Sequence, residues 1–297
     1  MRWAVVPAIV LGMLVIVPVG LGLLEAPGLR VLRACWPPVA IVGALSLALP
    51  VSIFAVGLAC VYALGTFVLA GTAAARFVRD RSFAPVDVAA LTALVTPAVA
   101  GASLVVERAG GTLLGFGPKI LLLTVAHFHY AGFAAALVAG LVASAASSEP
   151  AAWGAAAARG VAVVGRRAAD FAALTVPAGT LLVLIGFFAG ELVELAGAAV
   201  LTAGMWVVGT LSWRARASVR DRTARILLGV SSVVLVLTML LALDWALGEA
   251  FGVPKLSLTW MAATHGVLNA VGFGLCAVLA WSRLSDEYAG RTPRAAS

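Results

Sequence analysis

Charge is what this sequence lacks. Only 11% of its 297 residues are Asp, Glu, Lys or Arg, less than half the roughly 25% found in soluble domains. A soluble globular fold is thereby excluded. Cysteine is scarce too. Cys35, Cys60 and Cys276 are an odd number, widely spaced and set in apolar runs, which spells neither a disulfide framework nor a zinc site. There is no G-x-x-x-x-G-K-[ST] loop to cradle phosphates, no G-x-S-x-G and no H-E-x-x-H. Nor is there an aspartate cluster of the kind that holds magnesium–diphosphate. These absences set aside P-loop ATP hydrolysis, the serine-hydrolase elbow, zincin proteolysis and prenyl transfer. Gly115-Phe116-Gly117 is only a fragment of a dinucleotide fingerprint, and it runs straight into Pro118.

What is present is apolar sequence, 63% of the chain. A bilayer-spanning helix needs about 20 mostly apolar residues. Nine stretches qualify, near 4–24, 34–49, 51–75, 87–106, 118–140, 169–190, 194–213, 226–247 and 256–281. The expected fold is an all-α polytopic membrane bundle, one transmembrane domain over residues 1–297. Its weakest division lies between the second and third spans. Apolar sequence runs on from Ala34 to Ala75, and Pro50 is the natural break because proline cannot continue a helix. One tilted helix there would reduce the count to eight.

The basic residues favour nine. A net charge of +7 suggests nucleic acid in a soluble protein, but here the cations sit between apolar runs and no nucleic-acid partner is expected. With the N-terminus outside, inner segments hold Arg30, Arg33, Arg76, Arg79, Arg81, Arg159, Arg166, Arg167, Arg214, Arg216, Arg220, Arg222, Arg225, Arg283, Arg291 and Arg294. Outer segments hold only Arg2, Arg108, Lys119 and Lys255. That asymmetry is the positive-inside pattern, and it puts the C-terminus in the cytoplasm. Trp3, Trp36, Trp213, Trp245, Trp260 and Trp281 fall near the ends of spans, where indole rings gather at membrane interfaces. Trp206 does not fit. Arg2 is a thin n-region and the stronger basic cluster follows the apolar run, so the first segment reads as an uncleaved span. In the largest loop, about 144–167, Ser148 and Pro150 signal a helix start. The Ala-rich stretch behind them, with Trp153, suits a helix lying on the inner surface or a disordered loop.

The histidines carry the chemistry. His127, His129 and His265 all lie within predicted spans, the fifth and ninth. At 1.5 Å per residue each sits about 13 Å below the outer boundary, near the midplane. Polar side chains at that depth face a bundle interior or cavity. Residues two apart differ by about 200° around a helix, so His127 and His129 diverge. Thr124 shares a stripe with His127, and Tyr130 lies beside it. His265, Asn269 and Gly272 share another stripe, where Gly272 leaves room for a neighbouring helix or a ligand. Glu191, Glu194, Asp244 and Glu249 sit toward the outer ends of spans, either as a mouth above the histidines or as solvated loop charges. The histidines admit four readings: a substrate or proton-relay site, interhelical hydrogen bonding alone, axial haem ligation, or a three-histidine metal site. The divergence of His127 and His129 disfavours the metal, and neither haem nor another cofactor is expected.

Thr124-Val-Ala-His-Phe-His-Tyr-Ala-Gly-Phe133 and Thr264-His-Gly-Val-Leu-Asn-Ala-Val-Gly-Phe273 resemble the YndJ-like family of bacterial multi-pass membrane proteins. The resemblance implies a shared fold, a bacterial plasma membrane and a shared intramembrane site around His127, His129, His265 and Asn269. It supplies no reaction. The expected function is transport of a small molecule through a site built from His127, His129, Tyr130, His265, Asn269 and Thr124. Its rivals are an intramembrane enzyme acting on a lipid or isoprenoid, and a non-catalytic scaffold or haem carrier. The expected partners are the bilayer and a small-molecule or lipid substrate.

Overall fold

Pro50 does divide the long apolar stretch. The computed structural model describes residues 1–24, 28–147 and 165–289. Among them are nine helices long and apolar enough to cross a membrane: α1 (Arg2–Gly22), α2 (Leu29–Ala48), α3 (Ile53–Asp80), α4 (Pro85–Arg108), α5 (Pro118–Ala146), α6 (Arg166–Ala189), α7 (Glu191–Ser218), α8 (Arg222–Phe251) and α9 (Leu258–Asp286). Most run several residues past the expected ends. Leu49 is extended, and the Ser52 hydroxyl accepts from the Ala55 N–H to cap α3, an orphan donor satisfied in the usual way. The surface helix expected behind Ser148 and Pro150, with Trp153, lies outside the described residues.

Connections alternate between two faces. One, the mouth face, carries residues 49–52, 109–117 and 252–257; the other, the arginine face, carries 81–84 and the turn around Arg216. Large apolar side chains such as Ile41, Phe54, Leu64, Leu181 and Leu240 point out of the bundle, as they must where hydrocarbon is the solvent. The interior is packed with small residues. Gly179 and Gly186 of α6 and Gly197 and Gly204 of α7 line a seam so close that a Cβ on Gly186 would lie 2.5 Å from the Glu194 backbone. Without a hydrophobic drive between helices, such close approach supplies the packing energy. The Gly111/Gly115 pair, by contrast, belongs to a turn, with Gly115 at φ +89°.

Two expectations about charge and tryptophan need correction. Arg108 is not a loop cation: it is 1% exposed, beside Glu107 at 2%. Its guanidinium grips the Glu107 carboxylate and donates to the Ser46 and Leu49 carbonyls at 3.2 and 3.0 Å, closing the end of α2. Arg2 reaches the same carboxylate at 3.0 Å. The network ties α1, α2 and α4 together on the mouth face. Trp36 and Trp281 are each 1% exposed, so neither is an interfacial anchor. The Trp36 indole instead donates to the Met13 carbonyl of α1. Arg216 lies over the Trp213 ring at 3.2 Å, a cation–π pair on the arginine face.

Candidate functional site

Three of the nine helices widen at mid-depth. Residues Gly12–Ile16 of α1, Phe128–Ala134 of α5, and Ala262–Gly266 and Leu268–Leu275 of α9 are π-helical, and the widened turns of α1, α5 and α9 pack against one another. A π turn bonds residue i to i+5, so it holds one residue more than an α turn and disturbs the regular ladder; such turns gather at functional sites. Side chains bond carbonyls in and beside them. Trp36 donates to Met13, Thr180 to Ala131 at 3.1 Å, and His129 to Val125 at 2.6 Å. Glycine lets the three helices touch. A Cβ on Gly12 would lie 2.8 Å from the His129 ring, and one on Gly274 2.9 Å from the Tyr130 ring.

His129 is committed to this packing. Its Nδ1–H must donate, because the Val125 carbonyl only accepts. Nε2 is then bare and accepts from the Tyr62 hydroxyl of α3 at 2.6 Å. One donor and one acceptor, both used, are the needs of a neutral imidazole, and the ring is 0% exposed. His129 therefore faces α3, away from the other two histidines.

His127 and His265 share a cavity of about 400 Å³. It arises from how α5 packs. The Ala135–Ala146 half packs on α4, α6 and α7, whereas the Pro118–His127 half packs on α1 and α4. The space left between that half and α6–α9 is the cavity. It runs from Leu114, Phe187 and Phe188, all exposed, to Tyr130, Asn269 and Phe273 at its floor. Its walls are almost wholly apolar, as small-molecule pockets usually are. Thr124, His127, Tyr130, His265 and Asn269 all line it; His129 does not.

Within the cavity the polar groups are unequally engaged. His265 Nδ1 donates to the Thr238 carbonyl of α8 at 2.8 Å, so Nε2 is the acceptor and Asn269 presents its NH₂ to it at 3.0 Å. That leaves the Asn269 carboxamide oxygen without a partner among the described residues. The Thr124 hydroxyl donates to Ile120, and the Tyr130 hydroxyl to Ala8 of α1 at 2.7 Å. His127 alone of the three histidines forms no hydrogen bond to a described residue, and its ring makes only an edge contact with Phe128. Gly272 does not line the cavity; a Cβ there would meet Val234 of α8 at 2.7 Å. Phe273 takes its place on the stripe, since a π turn carries the face to i+8 where an α-helix carries it to i+7. Among the described residues no three His, Cys, Asp or Glu side chains converge to hold a metal.

Sequence reasoning missed two participants. Tyr62 has no motif around it, and nothing in the spacing of α3 marks it. Thr202 lines the cavity at 2% exposure with its hydroxyl unpartnered. Its signal was available: Glu194, Ala198 and Thr202 recur every four residues, one face of a helix.

A family model described as YndJ-like protein matches residues 7–273. A Bacillus subtilis (strain 168) protein named "Uncharacterized membrane protein YndJ" is 24% identical over 174 residues, which is 59% of this chain and 28% of that relative. The chain thus spans little more than a quarter of that relative's length. No solved structure matches.

Proposed function

The chain belongs to the YndJ-like family, and we propose that it is a carrier, in a bacterial plasma membrane, for a mostly apolar small molecule bearing one hydrogen-bonding group. The observation that carries this reading is a cavity lined by a histidine, His127, that has no hydrogen-bond partner among the described residues. Apolar walls of this size hold a ligand body, and the His127 ring, with the Asn269 oxygen beside the His265 pair, offers it one polar anchorage. The floor supports movement as well. It is built from π turns in α5 and α9, where the regular hydrogen-bond ladder is already disturbed, and access from the mouth face is one half of an alternating-access cycle.

Catalysis on a lipid is the second reading, favoured by the apolar walls and the exposed apolar rim. Against it, no hydroxyl or thiol is hydrogen-bonded to His127, so a nucleophile–base pair is missing from the described residues. The test is mass spectrometry of small molecules retained by the purified protein, followed by flux of the retained compound in proteoliposomes. Wild-type protein should retain an apolar compound that His127→Trp, which removes the imidazole and crowds the cavity, loses. Retention by both proteins would sink the site. Conversion of the compound without flux would replace the carrier with the enzyme.

A further inference from the structure

We propose that the ligand is an organic cation, an apolar body whose positive group is held at the mouth by Glu194. The inference rests on the carrier reading above and adds the charge of the cargo. No Lys or Arg lines the cavity, and Glu194 is the sole carboxylate that does, among the described residues. Its side chain forms no ion pair or hydrogen bond with any other described residue. Lys255, the cation of the nearby 252–257 turn, is already engaged. Its ammonium pairs with Glu249 at 3.0 Å and lies 5.3 Å from the Trp245 ring centre. Glu191 lies one turn before Glu194 on α7, so the rim carries a further acidic residue.

Two turns deeper on the same face, Thr202 offers a second, independent sign. Its hydroxyl is buried without a partner among the described residues, and the residue lines the same cavity. An unpartnered buried polar atom costs stability unless something meets it. The Thr202 hydroxyl can accept as well as donate, and with the Asn269 oxygen and the Glu194 carboxylate the wall offers oxygen acceptors to a donor or cation. A carboxylate or phosphate ligand would find no countercharge and would face Glu194.

The experiment uses two probes of matched size and shape, tetraphenylphosphonium and tetraphenylborate, with the full-length protein in nanodiscs of neutral lipid. Binding is read by equilibrium dialysis against empty discs. The cation should bind saturably, at least about tenfold tighter than the anion, since one charge pair in such surroundings is worth more than that. Glu194→Gln should remove the preference. It keeps the side-chain shape, and the close contact with Gly186 is made by the Glu194 backbone and Cβ, so the fold stands. Glu194→Asp should keep the preference. Equal binding of both probes by wild type overturns the cation while leaving the carrier intact. A preference unchanged in Glu194→Gln overturns it as well. Failure of both probes to bind saturably overturns the cation and the binding cavity together.

Discussion

Three histidines on two helices have three fates, and the difference lies in their partners. His129 has both nitrogens bonded, to Val125 and Tyr62, within full burial. Tyr62→Phe leaves Nε2 without a donor, and a buried unsatisfied group costs about 1–3 kcal/mol. Thermal unfolding in detergent should show that loss, with ligand retention unchanged. His127→Ala should do the reverse: retention is lost, and the unfolding temperature stays close to wild type because no hydrogen bond is removed. A large stability loss in His127→Ala would make it a structural residue and sink its role as anchor. The sequence could show that imidazoles at mid-depth need polar company, and that His127 and His129 point apart. It could not show which finds α3, because Tyr62 is sixty-seven positions from His129 and belongs to no motif. Nor could it place Gly272, whose neighbour is decided by a widening of α9 that composition does not announce.

At the scale of elements, two devices set the geometry of the cavity. One is the glycine seam between α6 and α7, which holds Glu194 at the rim. Gly186→Ala puts a methyl against the Glu194 backbone, where rigid main chain has no room to yield. The hairpin must part, at about 1–3 kcal/mol, and ligand retention should fall with stability because the cavity wall moves. Gly71, with open space around its Cβ position, is the control whose alanine variant leaves both unchanged. The other device is the joint between α8 and α9 on the arginine face. Asp221 caps α8, accepting from the Thr223 and Ala224 amides, and bonds Arg283 of α9 at 2.8 Å. The Ala224 amide first, and then the other bonds, hold its carboxyl below the usual aspartate range. A lowered folded pKa means that the contribution is full above that range and disappears as pH falls through the lowered value. Wild type should therefore melt above Asp221→Asn at neutral pH, and the gap should close in acid. A gap independent of pH would assign the difference to shape and not to charge. Nothing in the sequence announces the bond to Arg283, which lies two spans away.

At the scale of the whole molecule, the number of crossings was written in hydropathy and in the arginines, and the structure adds a reason for the arginines' imbalance. Of the four basic residues threaded to the mouth face, three are engaged there: Arg2 and Arg108 share Glu107, and Lys255 pairs with Glu249. Pairing leaves that face with little free positive charge, whereas Arg214, Arg220 and Arg222 of the arginine face have no carboxylate in contact among the described residues. Free cations near span ends are what hold a loop in the cytoplasm. The mouth face should accordingly lie outside. Thr112 and Ala217 sit on opposite faces, both exposed. With Cys35, Cys60 and Cys276 replaced by alanine, a cysteine at Thr112 should react with an impermeant maleimide on intact cells. One at Ala217 should react only after permeabilisation. The reverse pattern would put the cavity mouth in the cytoplasm, and the cargo would then be collected from inside the cell. Equal labelling of both on intact cells would mean an even number of crossings between them, against the three helices, α5, α6 and α7, that separate them here. The labelling thus identifies which compartment the cavity meets in this conformation, the one open half of the cycle proposed above.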